Sequence, residues 1–173
     1  MTDWLERARV MGFEAVPLDP QSLVCEERVR SACSADVCRA YGRNWTCPPA
    51  VGTLEECGDR LYGYQHGLLL QTVGHLSKRI DSRGMRETEE LHRRRLSELR
   101  EEMLGEYPEL LCLGAGGCRI CKSCAYPEPC RYPERAFSSM EAYGLFVTAV
   151  CRNAGLPYYY GEKTISFTGC ILF

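Results

Sequence analysis

Residues 114–130 read Gly-Ala-Gly-Gly-Cys118-Arg-Ile-Cys121-Lys-Ser-Cys124-Ala-Tyr-Pro-Glu-Pro-Cys130, and the rest of the chain is organised around this stretch. Three cysteines follow one another at gaps of two residues, and a fourth comes after a turn that contains prolines. Because the stretch has few apolar side chains to bury, we expect a metal centre to organise it. The glycines before it permit positive φ angles and let backbone N–H groups approach such a centre closely.

The cysteine spacing favours an iron–sulfur cluster, in particular a [4Fe-4S] cubane, over a single zinc ion. Zinc gathers four ligands around one point at Zn–S distances of about 2.3 Å, usually from two separated Cys-x-x-Cys pairs. Cysteines at gaps of two suit a cubane, whose iron corners lie apart, and the ferredoxin run Cys-x2-Cys-x2-Cys-x3-Cys-Pro is similar for three ligands. The last gap, residues 125–129, is longer than in that run. Zinc and a structural disulfide framework stay open as alternatives.

Length and charge restrict the class of protein. A chain of 173 residues is long enough for one domain, residues 1–173, with its own core. The net charge of −2 gives no basic field, so we expect no nucleic-acid partner. No apolar run approaches the roughly eighteen residues of a membrane span, and the charged N-terminal residues do not resemble a signal peptide. We therefore expect a cytoplasmic protein, in which twelve cysteines indicate metal binding rather than disulfides.

A second cysteine patch occupies residues 33–49. It contains Cys33, Cys38 and the tripeptide Cys47-Pro48-Pro49. The intervening residues show neither a helical nor a strand period, so regular packing does not explain three cysteines here. A loop with free thiols is one interpretation, and a second set of metal ligands is the other. Because a proline often follows the remote cysteine of a ferredoxin, Cys47 is also a candidate to complete the first centre in place of Cys130.

Hydrophobic periodicity predicts a sheet-and-helix sandwich of the α/β or α+β class, with both cysteine loops at one end of the sheet. We expect helices over residues 3–10, 53–62, 85–103 and 140–153, and strands over residues 13–18, 66–72, 110–113 and 164–173. Residues 24–30 fit either a strand or a helical turn. Thr53 and Glu56 form a capping-box pattern, and Ser138 or Ser139 is the expected cap of the helix over residues 140–153.

The long helix is predicted from one apolar stripe between charged faces. The stripe consists of His92, Leu96, Leu99 and Met103, and opposite charges recur four residues apart, as in Glu89 and Arg93. Cysteines inside predicted helices and strands, such as Cys57 and Cys112, are expected to be core residues.

The two cysteine patches, together with a later segment, resemble a known family. The similar segments are Cys33…Cys38-x-x-Tyr41-Gly42…Cys47-Pro48-Pro49, Gly117-Cys118-Arg-x-Cys121-x-x-Cys124…Cys130-x-x-Pro133 and Ser139-Met140-Glu141-Ala142-Tyr143-Gly144. In this order they resemble domain-of-unknown-function family 2284, bacterial and archaeal proteins described as predicted metal-binding. The resemblance spans nearly the whole chain and implies a cytoplasmic metal-site domain typical of anaerobe-rich lineages, but it implies no reaction.

The resemblance also implies a ligand set. Its members are Cys33, Cys38, Cys47, Cys118, Cys121, Cys124 and Cys130. The pattern does not include Cys25, Cys57, Cys112, Cys151 or Cys170. Since two fully cysteine-ligated cubanes need eight ligands, either one of these five joins or one iron keeps a non-cysteine or open position. Basic residues beside the ligands would offset an anionic cluster and attract an acidic partner; they are Arg39, Arg43, Arg119, Lys122 and Arg131.

Three functions fit these features. The first is an iron–sulfur protein, with one or two [4Fe-4S] clusters, that exchanges electrons with a redox partner protein; no dinucleotide fingerprint or phosphate loop is present. The second is an enzyme whose cluster binds substrate at an open iron, with Glu141 and Tyr143 as acid/base candidates, although packing is the alternative role for that segment. The third is a zinc-stabilised module that binds another protein, with residues 158–160 as an exposed aromatic patch.

Overall fold

A mixed five-stranded sheet forms the middle layer of the computed structural model, which describes residues 2–173. Its strands are β1 (Glu14–Pro17), β2 (Gly67–His75), β3 (Leu111–Gly114), β4 (Ser138–Ser139) and β5 (Thr164–Leu172). They lie in the order β1-β2-β5-β3-β4, and all neighbours are antiparallel except β3 and β4, which are parallel. The longest pairing joins β2 to β5, from Gly67 opposite Leu172 to His75 opposite Thr164. The predicted sheet-and-helix sandwich of the α/β or α+β class is confirmed.

Helices cover both faces of this sheet. They are α1 (Trp4–Val10), α2 (Glu27–Ala32), α3 (Leu54–Tyr62), α4 (Ser82–Met103) and α5 (Val147–Asn153). α1 and α4 pack on one face, and α3 and α5 pack on the other. Because side chains alternate across a strand, Leu68 and Leu70 enter the core beneath α4 while Leu69 enters the opposite core. Burial on both faces explains why residues 68–70 form an uninterrupted apolar run.

The long helix α4 rests directly on the centre of the sheet. It begins slightly earlier than predicted because Asp81 caps it, with Oδ1 accepting the Gly84 N–H at 2.9 Å. The whole predicted stripe is buried, including Leu96. A Cβ atom added at Gly114 or Gly169 would lie only 3.3 or 2.9 Å from Leu96 Cδ2, respectively. Both glycines therefore permit the close contact between α4 and strands β3 and β5.

His92 is buried in the interface between α4 and the sheet. Its Nδ1 lies 3.1 Å from Thr72 Oγ1, and its ring meets Phe13 edge-on at 5.9 Å. Within residues 2–173 its Nε2 has no hydrogen-bond partner. Burial, and secondarily the positive charges of Arg93 and Arg95, lower the pKa of His92 to about 3. The ring is therefore neutral in the folded protein at neutral pH.

The helix predicted over residues 140–153 is wrong in its first half. Ser138 and Ser139 do not begin an α-helix; they form β4 beside β3, and Ser139 Oγ accepts the Ala142 N–H of the turn that follows. Residues Glu141–Tyr143 then make a single 3-10 turn, and Gly144 takes a φ angle of 76°, in the left-handed region that ends helical geometry. Only α5, from Val147, is an α-helix here. This break places Glu141 beside the cysteine loops rather than on a helix surface.

The other predicted elements are confirmed with small shifts. α1 is capped by Asp3, and α3 has the full capping box of Thr53 and Glu56. The ambiguous residues 24–30 lead into α2, and the four predicted strands correspond to β1, β2, β3 and β5. Among residues 2–173, no helix has both the length and the apolar character needed to cross a membrane.

Candidate metal centre

The loop over residues 115–137 leaves the sheet from β3 and returns to it at β4. Its two ends are tied together by the parallel pairing of Leu113 with Ser138 and by the Met140 N–H, which donates to the Gly114 carbonyl at 3.0 Å. The four predicted ligands in this loop line one small cavity of about 20 Å³; they are Cys118, Cys121, Cys124 and Cys130. The structure therefore groups Cys130, not Cys47, with the other three cysteines of its loop.

The loop over residues 33–49 brings its three predicted ligands around a second cavity. This cavity has a volume of about 190 Å³, and Cys33, Cys38 and Cys47 line it together with Tyr41 and Glu141. Ser139, Gly116 and Gly117 complete much of its wall. Cys38 is exposed, Cys33 is half-buried and Cys47 is buried. The seven predicted ligands thus separate into a four-cysteine set and a three-cysteine set.

The two sets lie side by side because residues 44–47 pack on the 115–137 loop. The Cys118 N–H donates to Thr46 Oγ1 at 3.3 Å, and Trp45 Nε1 donates to the Glu128 carbonyl at 2.8 Å. The Trp45 ring also meets Tyr126 edge-on at 5.0 Å. A Cβ atom added at Gly117 would lie 3.7 Å from Cys47 Sγ, which shows how closely the two loops approach.

The thiols influence one another's ionisation. Burial raises the pKa of Cys118, and the negative charges of Cys130, Cys121 and Cys124 would raise it further. Burial likewise raises the pKa of Cys47, with smaller effects of the same sign from Cys38, Cys33 and Cys118. Thiolates so close together repel one another, and a bound cation removes that repulsion. The donor chemistry of both sets therefore suits a thiolate-ligated metal group.

The basic residues beside the ligands are mostly engaged with neighbouring groups. Arg119 Nη2 lies 3.2 Å from Glu89 Oε1 of α4, and the same oxygen is 2.9 Å from Arg93 Nη2. Arg43 pairs with Asp36 at 2.7 Å, and Arg131 donates to the Ser123 carbonyl at 3.0 Å. These contacts hold the loops in place while leaving positive charge close to the thiols.

The five cysteines outside the predicted set lie in the body of the protein, and all twelve cysteine thiols are unpaired. Cys57, Cys112, Cys151 and Cys170 are buried in the cores, as expected for the first two of these. Cys57 accepts hydrogen bonds from Arg30 Nη1 and Arg60 Nη2, each at 3.6 Å. Within residues 2–173, no three His, Cys, Asp or Glu side chains converge on a point suited to a single metal ion.

The structure separates the two acid/base candidates. Glu141 is exposed and lines the three-cysteine cavity, whereas Tyr143 is buried in the core under the Arg60 guanidinium, 5.2 Å from its ring centre. Tyr143 packs in the core cluster, and burial raises the pKa of its phenol. Glu141 lies close to Cys33 because β4 pairs with β3. The two serines of β4 do not indicate this strand in the sequence.

A wider cavity of about 700 Å³ lies between α4 and the 115–137 loop and reaches Cys118. Its charged lining consists of four arginines and four glutamates, which are Arg93, Arg100, Arg119, Arg135, Glu98, Glu101, Glu102 and Glu134. Because these charges balance, the cavity does not select strongly for a ligand of either sign.

A family model described as a predicted metal-binding protein matches residues 16–173. The matched region includes both cysteine loops, the sheet and helices α2 to α5. No curated protein and no solved structure matches the chain.

Proposed function

The chain belongs to domain-of-unknown-function family 2284, the predicted metal-binding proteins, and from this premise we propose that it is an iron–sulfur protein that transfers electrons to or from a partner protein. One observation carries the proposal: seven cysteines on two loops line two neighbouring cavities. Their spacing in the 115–137 loop is similar to that of ferredoxins. A cytoplasmic location, where thiols stay reduced, is part of the same proposal.

The four-cysteine set is the proposed electron-transfer centre. Four thiolates would hold a [4Fe-4S] cluster at Cys118, Cys121, Cys124 and Cys130, and the cluster would supply one-electron chemistry. The chain's own groups would tune the potential, because the Arg119 and Arg131 side chains add positive charge near the sulfurs. The three-cysteine set extends to the exposed Cys38, so a centre there would lie within reach of a redox partner.

Zinc at the four-cysteine set is a second candidate, since one ion needs less space than a cubane. The space among these cysteines is about 20 Å³, little more than the roughly 10–15 Å³ that one water molecule needs. Both groups require the cysteine side chains to move, because no three His, Cys, Asp or Glu side chains of residues 2–173 converge on one point, and a cubane requires the larger opening. In this case the protein is a zinc-stabilised binding module, and the exposed rings of Tyr158 and Tyr159 are the aromatic surface for its partner.

Metal and acid-labile sulfide per chain, measured on protein prepared without oxygen, separate these candidates. About four irons with an equal amount of sulfide indicate one cubane, and about eight indicate two. Zinc without sulfide replaces the electron-transfer proposal by the zinc module. A well-folded protein that retains neither metal after purification from metal-supplemented cells overturns both.

A further inference from the structure

The three-cysteine cavity has no fourth cysteine in its wall. Its donor atoms come from Cys33, Cys38 and Cys47 and from the oxygens of Tyr41, Ser139 and Glu141. Among these oxygens only the Glu141 carboxylate is a common metal ligand that carries a negative charge at neutral pH. The remaining cysteines belong to the other set or to the cores, except for Cys25, which is half-buried and packs against one core. If a metal group binds here, a residue other than cysteine must supply its fourth protein ligand.

Glu141 is presented to this cavity by a rigid segment. Its neighbours Met140 and Ala142 are buried, while Glu141 itself is exposed. The Met140 N–H donates to the Gly114 carbonyl at 3.0 Å, and the Ala142 N–H donates to Ser139 Oγ at 3.1 Å. Bonds on both sides of Glu141 therefore fix its backbone, so that only its own side-chain torsions remain free to bring the carboxylate to a metal.

We propose that Glu141 is the fourth, oxygen ligand of a second iron–sulfur cluster whose other ligands are Cys33, Cys38 and Cys47, an inference that rests on the proposed iron–sulfur function. Within residues 2–173 these side chains do not converge on a single-ion site, whereas the iron corners of a cluster lie apart. Carboxylate oxygen binds iron, but it is a harder ligand than thiolate. This centre is therefore the more exchangeable of the two. Its cavity of about 190 Å³ leaves room for a small anion to replace the carboxylate.

The test isolates this centre by disabling the other. In the double variant Cys121→Ser/Cys124→Ser, the metal that remains reports the three-cysteine set alone. Adding Glu141→Gln keeps the side-chain size but removes the charged ligand, and we expect metal retention against a competing chelator to fall about tenfold. Adding Glu141→Cys instead supplies a fourth thiolate, and we expect retention at or above that of the double variant. Because cysteine binds a metal only as the deprotonated thiolate, restored retention shows that a side chain at position 141 reaches the metal.

The matched control is Glu128→Gln, which removes an exposed carboxylate from the 115–137 loop rather than from this cavity. We expect it to leave retention unchanged in the same double variant. Retention that is equal in the double variant with and without Glu141→Gln, or not restored by Glu141→Cys, overturns the inference. If the double variant binds no metal while the wild-type protein does, the second centre does not exist and the proposed function still stands. A wild-type protein without metal removes both.

Discussion

The body of the protein and its cysteine loops are held in place by different means. The sheet and helices bury large apolar side chains on both faces, such as Leu69 on one and Leu96 on the other. By contrast, none of residues 115–139 is buried. Structureless loops of this length are uncommon in folded domains, and they are usually functional when they occur. The comparison indicates that hydrophobic burial orders the body, whereas the loops are ordered by polar contacts and, under the proposed function, by a metal group.

The largest expected effect is a loss of stability of the body that does not change the metal content of the loops. Leu96→Ala removes a fully buried side chain between α4 and the sheet, and should lower the free energy of unfolding by about 2–5 kcal/mol. Urea denaturation measures this change, and metal content per chain should not change. Val10→Ala, at an exposed position of α1, is the control and should cost less than about 0.5 kcal/mol. Loss of metal in Leu96→Ala would show that the loops depend on the body's packing.

Metal removal is the converse experiment. Stripping the metal should increase amide hydrogen exchange in residues 115–137 by about 100-fold, because the loop then loses its main organising contact. Exchange in α4, β2 and β5 should stay slow, since their protection comes from burial. Hydrogen-exchange mass spectrometry on holo and apo protein measures both. A uniform increase over the whole chain would mean that body and loops unfold as one unit.

Acid should weaken the body through His92. The pKa of this ring is about 3 in the folded protein, against about 6.5 when unfolded. Unfolding therefore takes up a proton below pH 6.5. Protonation of His92 costs no free energy of unfolding well above pH 6.5, and it lowers the free energy of unfolding progressively as the pH falls from 6.5 towards 3. At pH 5.5 the loss is about 1.4 kcal/mol relative to neutral pH. His92→Gln, which can still bond Thr72, should remove this part of the pH dependence in urea titrations. An unchanged slope would contradict the neutral buried ring.

The smallest expected effect concerns the ion pairs that join body and loop. Glu89→Gln weakens the contact of α4 with Arg119, and pairs that are partly exposed contribute only about 0.2–1 kcal/mol. Amide exchange near residue 119 should rise about threefold, with little change in global stability. Glu87→Gln, which breaks the exposed pair with Arg83 on the same helix, is the control and should not affect the loop. Equal effects of both variants would argue against this connection.

Local pattern was sufficient for the parts of the fold that depend on local interactions. The stripe of α4 and the capping box at Thr53 are determined by residues three or four positions apart, so they can be read directly from the sequence. The helix expected over residues 140–153 failed for the opposite reason. Pairing of Ser138 with Leu113, more than twenty residues away, holds the two serines in a strand, so the Ser139 hydroxyl caps only a 3-10 turn.

The candidate site divides in the same way. The spacing of Cys118, Cys121 and Cys124 indicates a shared loop, and the structure places them around one cavity. The choice between Cys47 and Cys130 as the companion of this set required the packing of the two loops against each other. The position of Glu141 beside Cys33 also depends on sheet pairing, and no local pattern contains that information. As ligands, all seven cysteines remain predictions.

The central position of β5 has a consequence for how the protein is made. This strand joins β2 to β3, yet it follows all seven candidate ligands in the chain. During translation all seven thiols are therefore synthesised before β5, the strand that completes the sheet. Until β5 is translated, the two loops are attached to an incomplete sheet. We therefore expect the metal to be inserted after translation of β5.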